Sequence, residues 1–128
     1  MPYLDEALAA LIADIHERGL ERRILVVVVG EFGRTPNFRT GPPDNSVGRD
    51  HWPQAYSALV SGGGVKGGTA VGATDARGAY PKERPLSPQD LLATVYHHLG
   101  INTEQQYVNG SGRPVSVLPS GEPIEELF

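Results

Sequence analysis

Three patterns in this 128-residue chain predict an α/β fold. Leu4, Leu8, Leu11, Ile12 and Ile15 recur at helical spacing and would share one face. Ile24 to Val29 is a continuous apolar run, the pattern of a strand covered on both faces in a parallel sheet. Leu91, Leu92, Val95 and Leu99 form a second helical stripe. Strands alternating with helices imply helices layered on a sheet.

Each element has its own signals. The first helix stops at Gly19, a residue suited to the left-handed conformation that closes helices. Residues 37 to 50 form a polar loop that carries Gly41-Pro42-Pro43-Asp44-Asn45. Tyr56 to Val60 reads as a second strand, Gly62 to Gly68 as a turn, and Thr69 to Thr74 as a short third strand. Ala76 to Pro85 reads as loop. Ser87 is the expected N-cap of the second helix, with Pro88 at its first position and Asp90 reaching back as in a capping box. Gly100 ends that helix. Val115 to Leu118 reads as an edge strand, and residues 121 to 128 as a polar tail with an apolar end.

Composition narrows the classes of function. An apolar content of 39% and a charged content of 20% suit a soluble domain with a modest core. The net charge of -4 argues against nucleic acid or an anionic membrane as partner. Without cysteine there is no disulfide, thiolate nucleophile or Cys-type zinc site. No apolar stretch approaches the roughly 20 residues that span a bilayer. No signal peptide precedes the first helix, which leaves the location open.

The chemistry concentrates between Val26 and His51. Ligand sites in open α/β sheets lie beyond the carboxyl ends of strands, and Glu31 stands there. It is a candidate ligand for a divalent cation, or a turn carboxylate paired with Arg34. Asp50-His51 joins a carboxylate to an imidazole, both ligands for zinc or manganese, with Trp52-Pro53 expected to pin the loop. The alternative pairs Asp50 with Arg49 and leaves His51 solvated. Arg34 and Thr35 are candidate oxyanion-binding groups.

Other candidates read as structural. His97 and His98 lie on adjacent helical positions, about 100° apart, and do not share a metal easily. His16 reads as structural too. Gly62 to Gly67 spells G-x-G-x-x-G, but a strand-like segment follows, so no helix N-terminus awaits a phosphate.

Five segments occur in a telling order. They are Glu31-Phe32-Gly33-Arg34-Thr35-Pro36, Gly48-Arg49-Asp50-His51-Trp52-Pro53, Gly62-Gly63-Gly64-Val65-Lys66-Gly67-Gly68, Gly72-Ala73-Thr74-Asp75 and Arg84-Pro85-Leu86-Ser87-Pro88-Gln89-Asp90-Leu91. Together they resemble the C-terminal part of domain-of-unknown-function family 1501, in the alkaline phosphatase-like superfamily with the sulfatases. The resemblance covers nearly the whole chain.

That resemblance implies a doubly wound sheet with flanking helices, of which residues 1–128 would be one C-terminal segment. It implies a divalent metal (zinc, calcium or manganese) held by Glu31, Asp50 and His51, and a small sulfate or phosphate ester bound with help from Arg34 and Thr35. Where sulfatase-like relatives carry Asp-His-Gly at a strand end, this chain has Glu31-Phe32-Gly33, so one ligand histidine is replaced. Asp90 reads as a cap and not as a ligand. The superfamily's nucleophile and first metal carboxylates lie in an N-terminal part without a counterpart among these residues. The segment is therefore expected to be inactive alone, completed by a missing N-terminal half or a second copy. Full-length relatives are typically exported bacterial proteins.

The other reading is a non-catalytic binding or structural module that kept the scaffold. Convergence of Glu31, Asp50 and His51 in a cleft would favour the enzyme. Side chains engaged in separate contacts would favour the module.

Overall fold

The computed structural model describes residues 2–39 and 47–128. The tip of the loop predicted over 37 to 50, with its Gly-Pro-Pro-Asp-Asn segment, lies outside the described residues. The chain is mixed helix and sheet, built of two compact units. One comprises Met1–Val26, Ser61–Thr69 and Leu86–Phe128; the other comprises Val27–Val60 and Ala70–Pro85.

In chain order the elements are α1 (Pro2–Glu17), β1 (Leu25–Val29), β2 (Gly33–Arg34), β3 (His51–Trp52), β4 (Ala58–Gly62), β5 (Ala73–Thr74), β6 (Pro81–Glu83), α2 (Pro88–His98), β7 (Gln106–Val108), β8 (Pro114–Ser116) and a 3-10 turn, Glu125–Leu127. The strands pair as four two-stranded sheets, β1 with β4, β2 with β3, β5 with β6 and β7 with β8. The last three pairs are antiparallel. Among the described residues no helix is long and apolar enough to cross a membrane.

Both helices end as their glycines predict. After α1 the Gly19 N–H donates to the His16 carbonyl and the Leu20 N–H to that of Ile15. After α2 the Gly100 and Ile101 N–H groups donate to His97 and Tyr96 in the same pattern. These paired bonds satisfy carbonyls left open at a helix end. The start of α2 is a full capping box: Ser87 Oγ accepts from the Asp90 N–H, and Asp90 Oδ2 accepts from the Ser87 N–H at 2.7 Å.

The core of the first unit differs from the predicted one. Its buried residues are Ile15, Ala93, Thr94, Ile124 and Leu127. The predicted stripe of α2 is rotated: Ala93 and Thr94 are buried, while Leu92 and Leu99 are exposed. The C-terminal segment takes that inner face. Thr94 Oγ1 donates to the Asp90 carbonyl and accepts from the Ile124 N–H at 2.9 Å. Asp90 Oδ1 accepts from the Glu122 N–H, and the Leu127 carbonyl accepts from the Lys66 N–H. The supposed polar tail is thus part of the core.

Three further expectations need correction. β1 is not covered on both faces: its first four residues are half-buried and Val29 is 48% exposed. The third strand shrinks to Ala73–Thr74, and the loop expected over 76 to 85 contains its partner, β6. The predicted edge strand becomes β8, joined to an unforeseen β7 in a hairpin. Pro81-Lys82-Glu83 and Gln106-Tyr107-Val108 are too short to show a period of two, so pairing alone makes them strands.

The Gly62 to Gly68 segment is a turn, as expected. Gly62 has φ +81, and a Cβ there would collide with the Ile24 carbonyl oxygen. The backbone of the turn is held by the Gly63 N–H, which donates to the Glu21 carbonyl, and by a contact of 3.2 Å between His98 Nδ1 and the Gly63 carbonyl.

Candidate functional site

The site forms in the second unit around the β2–β3 ribbon. Gly33 lies opposite Trp52 and Arg34 opposite His51. Gly33 fits because a Cβ there would strike the Ala55 backbone. Side chains two apart on a strand share a face with the residue across from them. Arg34 and His51 are such cross-strand partners, and Phe32, two residues before Arg34 and just ahead of β2, lies against both. The rings of Phe32 and His51 stack with centroids 3.8 Å apart, and the Arg34 guanidinium lies 5.6 Å from the Phe32 centroid.

The ribbon continues into a clasp between residues 35 and 50. The Thr35 N–H donates to the Asp50 carbonyl, and the Asp50 N–H donates to Thr35 Oγ1, each at 3.0 Å. The Thr35 hydroxyl donates in turn to the Asn37 carbonyl. An isolated bridge between Arg39 and Gly48 extends the antiparallel pairing. Thr35 therefore fixes the backbone that carries Asp50 and His51.

Trp52 anchors the other end. Its Nε1–H donates to the Ala79 carbonyl at 2.6 Å, and its ring meets Tyr80 edge-on at 5.6 Å. Ala79 is held by Asp75, whose Oδ1 accepts from the Ala79 and Arg77 N–H groups. These backbone donors, Ala79 foremost, hold the Asp75 carboxyl below its ordinary pKa of 3.8, against the opposing effect of partial desolvation. The expectation that Trp52 pins its loop thus has a mechanism.

Of the five predicted site residues, the ribbon and clasp bring Arg34, Thr35, Asp50 and His51 together. Glu31 precedes the ribbon and is exposed. Neither expected ion pair forms among the described residues. Arg34 Nη1 donates to the Arg49 carbonyl at 3.3 Å and does not pair with Glu31. Asp50 faces Arg39 at 3.9 Å, and does not pair with Arg49. That contact is long and exposed and contributes little to stability.

The metal test is one of donor count. Structural and catalytic zinc sites take three or four protein ligands. Among the described residues no group of three or more His, Asp or Glu side chains is placed to hold a metal ion. The described residues do not by themselves fit a metal centre.

Beside the ribbon lies an open cleft of about 370 Å³. Thr35, Arg39, Asp50, Trp52, Arg77 and Tyr80 contribute to its walls. Arg39, Arg77 and Tyr80 carried no motif that would single them out. Only the Asp75-Ala76-Arg77-Gly78 sequence, with a carboxylate able to accept bonds two and four residues on, hints at the turn that presents Arg77.

The fold and this site define a small mixed α/β protein with a polar, arginine-bearing cleft. The chain belongs to the family described as protein of unknown function (DUF1501), whose model matches residues 1–128. No curated protein and no solved structure matches it.

Proposed function

We propose that the chain is the ester-recognising segment of an alkaline phosphatase-like hydrolase of sulfuric or phosphoric esters, and that it does not turn over substrate alone. One observation carries this reading: the β2–β3 ribbon sets Arg34 directly across from His51, with Asp50 clasped to Thr35. A guanidinium, a hydroxyl, a carboxylate and an imidazole gathered on one rigid ribbon suit recognition of an oxyanion. In this reading Asp50, His51 and Glu31 supply part of a ligand set for a divalent cation. The remaining ligands and the nucleophile come from outside these residues. A doubly wound sheet covers both faces of its central strands, and exposure of Val29 (48%) and Leu59 (42%) suits a sheet awaiting such cover.

The alternative, a non-catalytic module, draws support from the individual contacts. His51 stacks on Phe32, and the Asp50 carboxylate faces Arg39. Calorimetry with zinc, manganese and calcium separates the two. Binding that is lost in both His51→Ala and Glu31→Ala supports the hydrolase segment. Binding indifferent to both substitutions supports the module. Turnover of an aryl phosphate or sulfate by the pure chain, abolished by His51→Ala, would overturn the claim that it is inactive alone.

A further inference from the structure

The cleft beside the ribbon combines two kinds of recognition group. Arg39 and Arg77 bring guanidinium charge to its walls, and Trp52, Tyr80 and Phe38 bring aromatic surface. This is a cationic feature in a chain of net charge -4, so its charge is local and not a property of the whole surface. The Trp52 ring is immobilised by its bond to Ala79. Tyr80 is 49% exposed and Phe38 is 67% exposed, which leaves ring surface open to a visitor. The Arg49 guanidinium lies 5.8 Å from the Phe38 centroid.

We propose that this cleft binds a planar aromatic ring bearing an oxyacid anion, with Arg39 and Arg77 on the anion and Tyr80 against the ring. Guanidinium groups match sulfonate and phosphonate oxygens in pairs, and aromatic rings prefer offset or edge-on neighbours. A volume of about 370 Å³ is at the small end of ligand sites and suits a single ring with its anionic group. Asp50 excludes an anion from its own side of the cleft. Its carboxylate faces Arg39 Nε, so an incoming oxyacid meets the terminal nitrogens of that guanidinium and the guanidinium of Arg77 on the cleft wall. The inference deepens the ester reading and rests on it for the type of anion, while the ring preference comes from the cleft walls.

The test needs no metal and uses the only tryptophan of the chain, Trp52, as its reporter. Phenylphosphonate and benzenesulfonate are titrated against intrinsic fluorescence in the presence of a chelator. Inorganic phosphate, inorganic sulfate and cyclohexylphosphonate serve as comparisons. Saturable quenching is expected with the phenyl probes, about tenfold tighter than with the inorganic or cyclohexyl ones, the equivalent of roughly 1.4 kcal/mol. Arg39→Gln and Arg77→Gln, checked for retained circular dichroism, each weaken the phenyl probes about fivefold or more by removing a charge-assisted pair. Tyr80→Ala removes the preference for phenyl over cyclohexyl and keeps the response to the anion.

Equal affinity for inorganic phosphate and phenylphosphonate would overturn the proposal, as would absence of saturable quenching or indifference to both glutamine substitutions. Because a chelator is present, these outcomes are independent of the metal calorimetry above. Aromatic-anion binding without metal binding would retain the cleft and withdraw support for metal ligation by Glu31, Asp50 and His51 in this chain. Metal binding without aromatic-anion binding would do the reverse.

Discussion

Phe32 and His51 stack with ring centroids 3.8 Å apart and planes 27° apart. In the hydrolase reading proposed above, Phe32 takes the place of a ligand histidine. An aromatic ring there packs against the one imidazole of the ribbon and offers it no second donor. Replacing it tests whether the position keeps the geometry of a metal site. Phe32→His is expected to raise zinc affinity about tenfold or more, since a second imidazole beside His51 adds a nitrogen ligand. Calorimetry at neutral pH reads the change. An unaltered affinity in a folded variant would show that ring contact here is structural.

Trp52 ties the ribbon to the turn at Ala79. Trp52→Phe keeps the aromatic body and removes the N–H, which leaves the Ala79 carbonyl without that donor. A loss of about 1–3 kcal/mol follows from a polar group left unpaired in a part-buried place. Urea unfolding followed by circular dichroism measures it.

Asp75 gives the fold an acid-sensitive contact. Its folded-state pKa is lowered from 3.8, chiefly by the Ala79 N–H. A carboxylate with a depressed folded pKa contributes stability that is fully present above the unfolded value. That contribution fades as pH falls through 3.8 toward the folded value. Asp75→Asn keeps a side-chain oxygen as acceptor but cannot titrate. It should flatten the loss of stability below pH 3.8 relative to the parent chain, as read by thermal unfolding across acid pH.

Thr94 is 1% exposed and is the polar centre of the first unit. Thr94→Val conserves shape but removes the acceptor for the Ile124 N–H. The buried donor left behind costs about 1–3 kcal/mol. Thr94→Ser keeps the hydroxyl and should lose only the methyl contribution, about 1 kcal/mol. Denaturant midpoints of the two variants distinguish the bond from the packing.

Gly62 requires a left-handed backbone, at φ +81, close beneath the Ile24 carbonyl. Gly62→Ala adds both backbone strain and a collision. The expected loss exceeds the roughly 1 kcal/mol of a simple Gly-to-Ala change at positive φ. A fall in melting temperature larger than that for Gly64→Ala, which has φ +84 and open space, would isolate the collision.

Local chemistry was the legible part of this molecule. Ser87, Pro88 and Asp90 determine where α2 begins, and Gly19 and Gly100 determine where the two helices stop. Each acts within a few residues, through bonds that the backbone must satisfy in any context. The run from Leu25 to Val29 made a strand for the same local reason. Arg34, Thr35, Asp50 and His51 stood out by residue type, Asp50 and His51 with Glu31 as candidate metal ligands and Arg34 with Thr35 as candidate oxyanion groups, whereas the joining of the two segments through the β2–β3 ribbon came only from the structure.

Contact partners were decided only by the tertiary structure. Leu91, Leu92, Val95 and Leu99 fit a helical stripe, yet the chain buries Ala93 and Thr94, and Thr94 receives the Ile124 N–H from a segment 30 residues away. β6 and β7 exist because partners bond them, and three residues hold too little pattern to announce it. The turn that Asp75 builds and Trp52 grips carries Arg77 and Tyr80 to the cleft, and Arg39 reaches it from the segment bridged to Gly48. The sequence by itself determined the helix ends, the first strand and the residue types available for recognition, since those rest on near-neighbour sterics and capping. Tertiary structure alone decided which side chains face each other, since that depends on packing between segments remote along the chain.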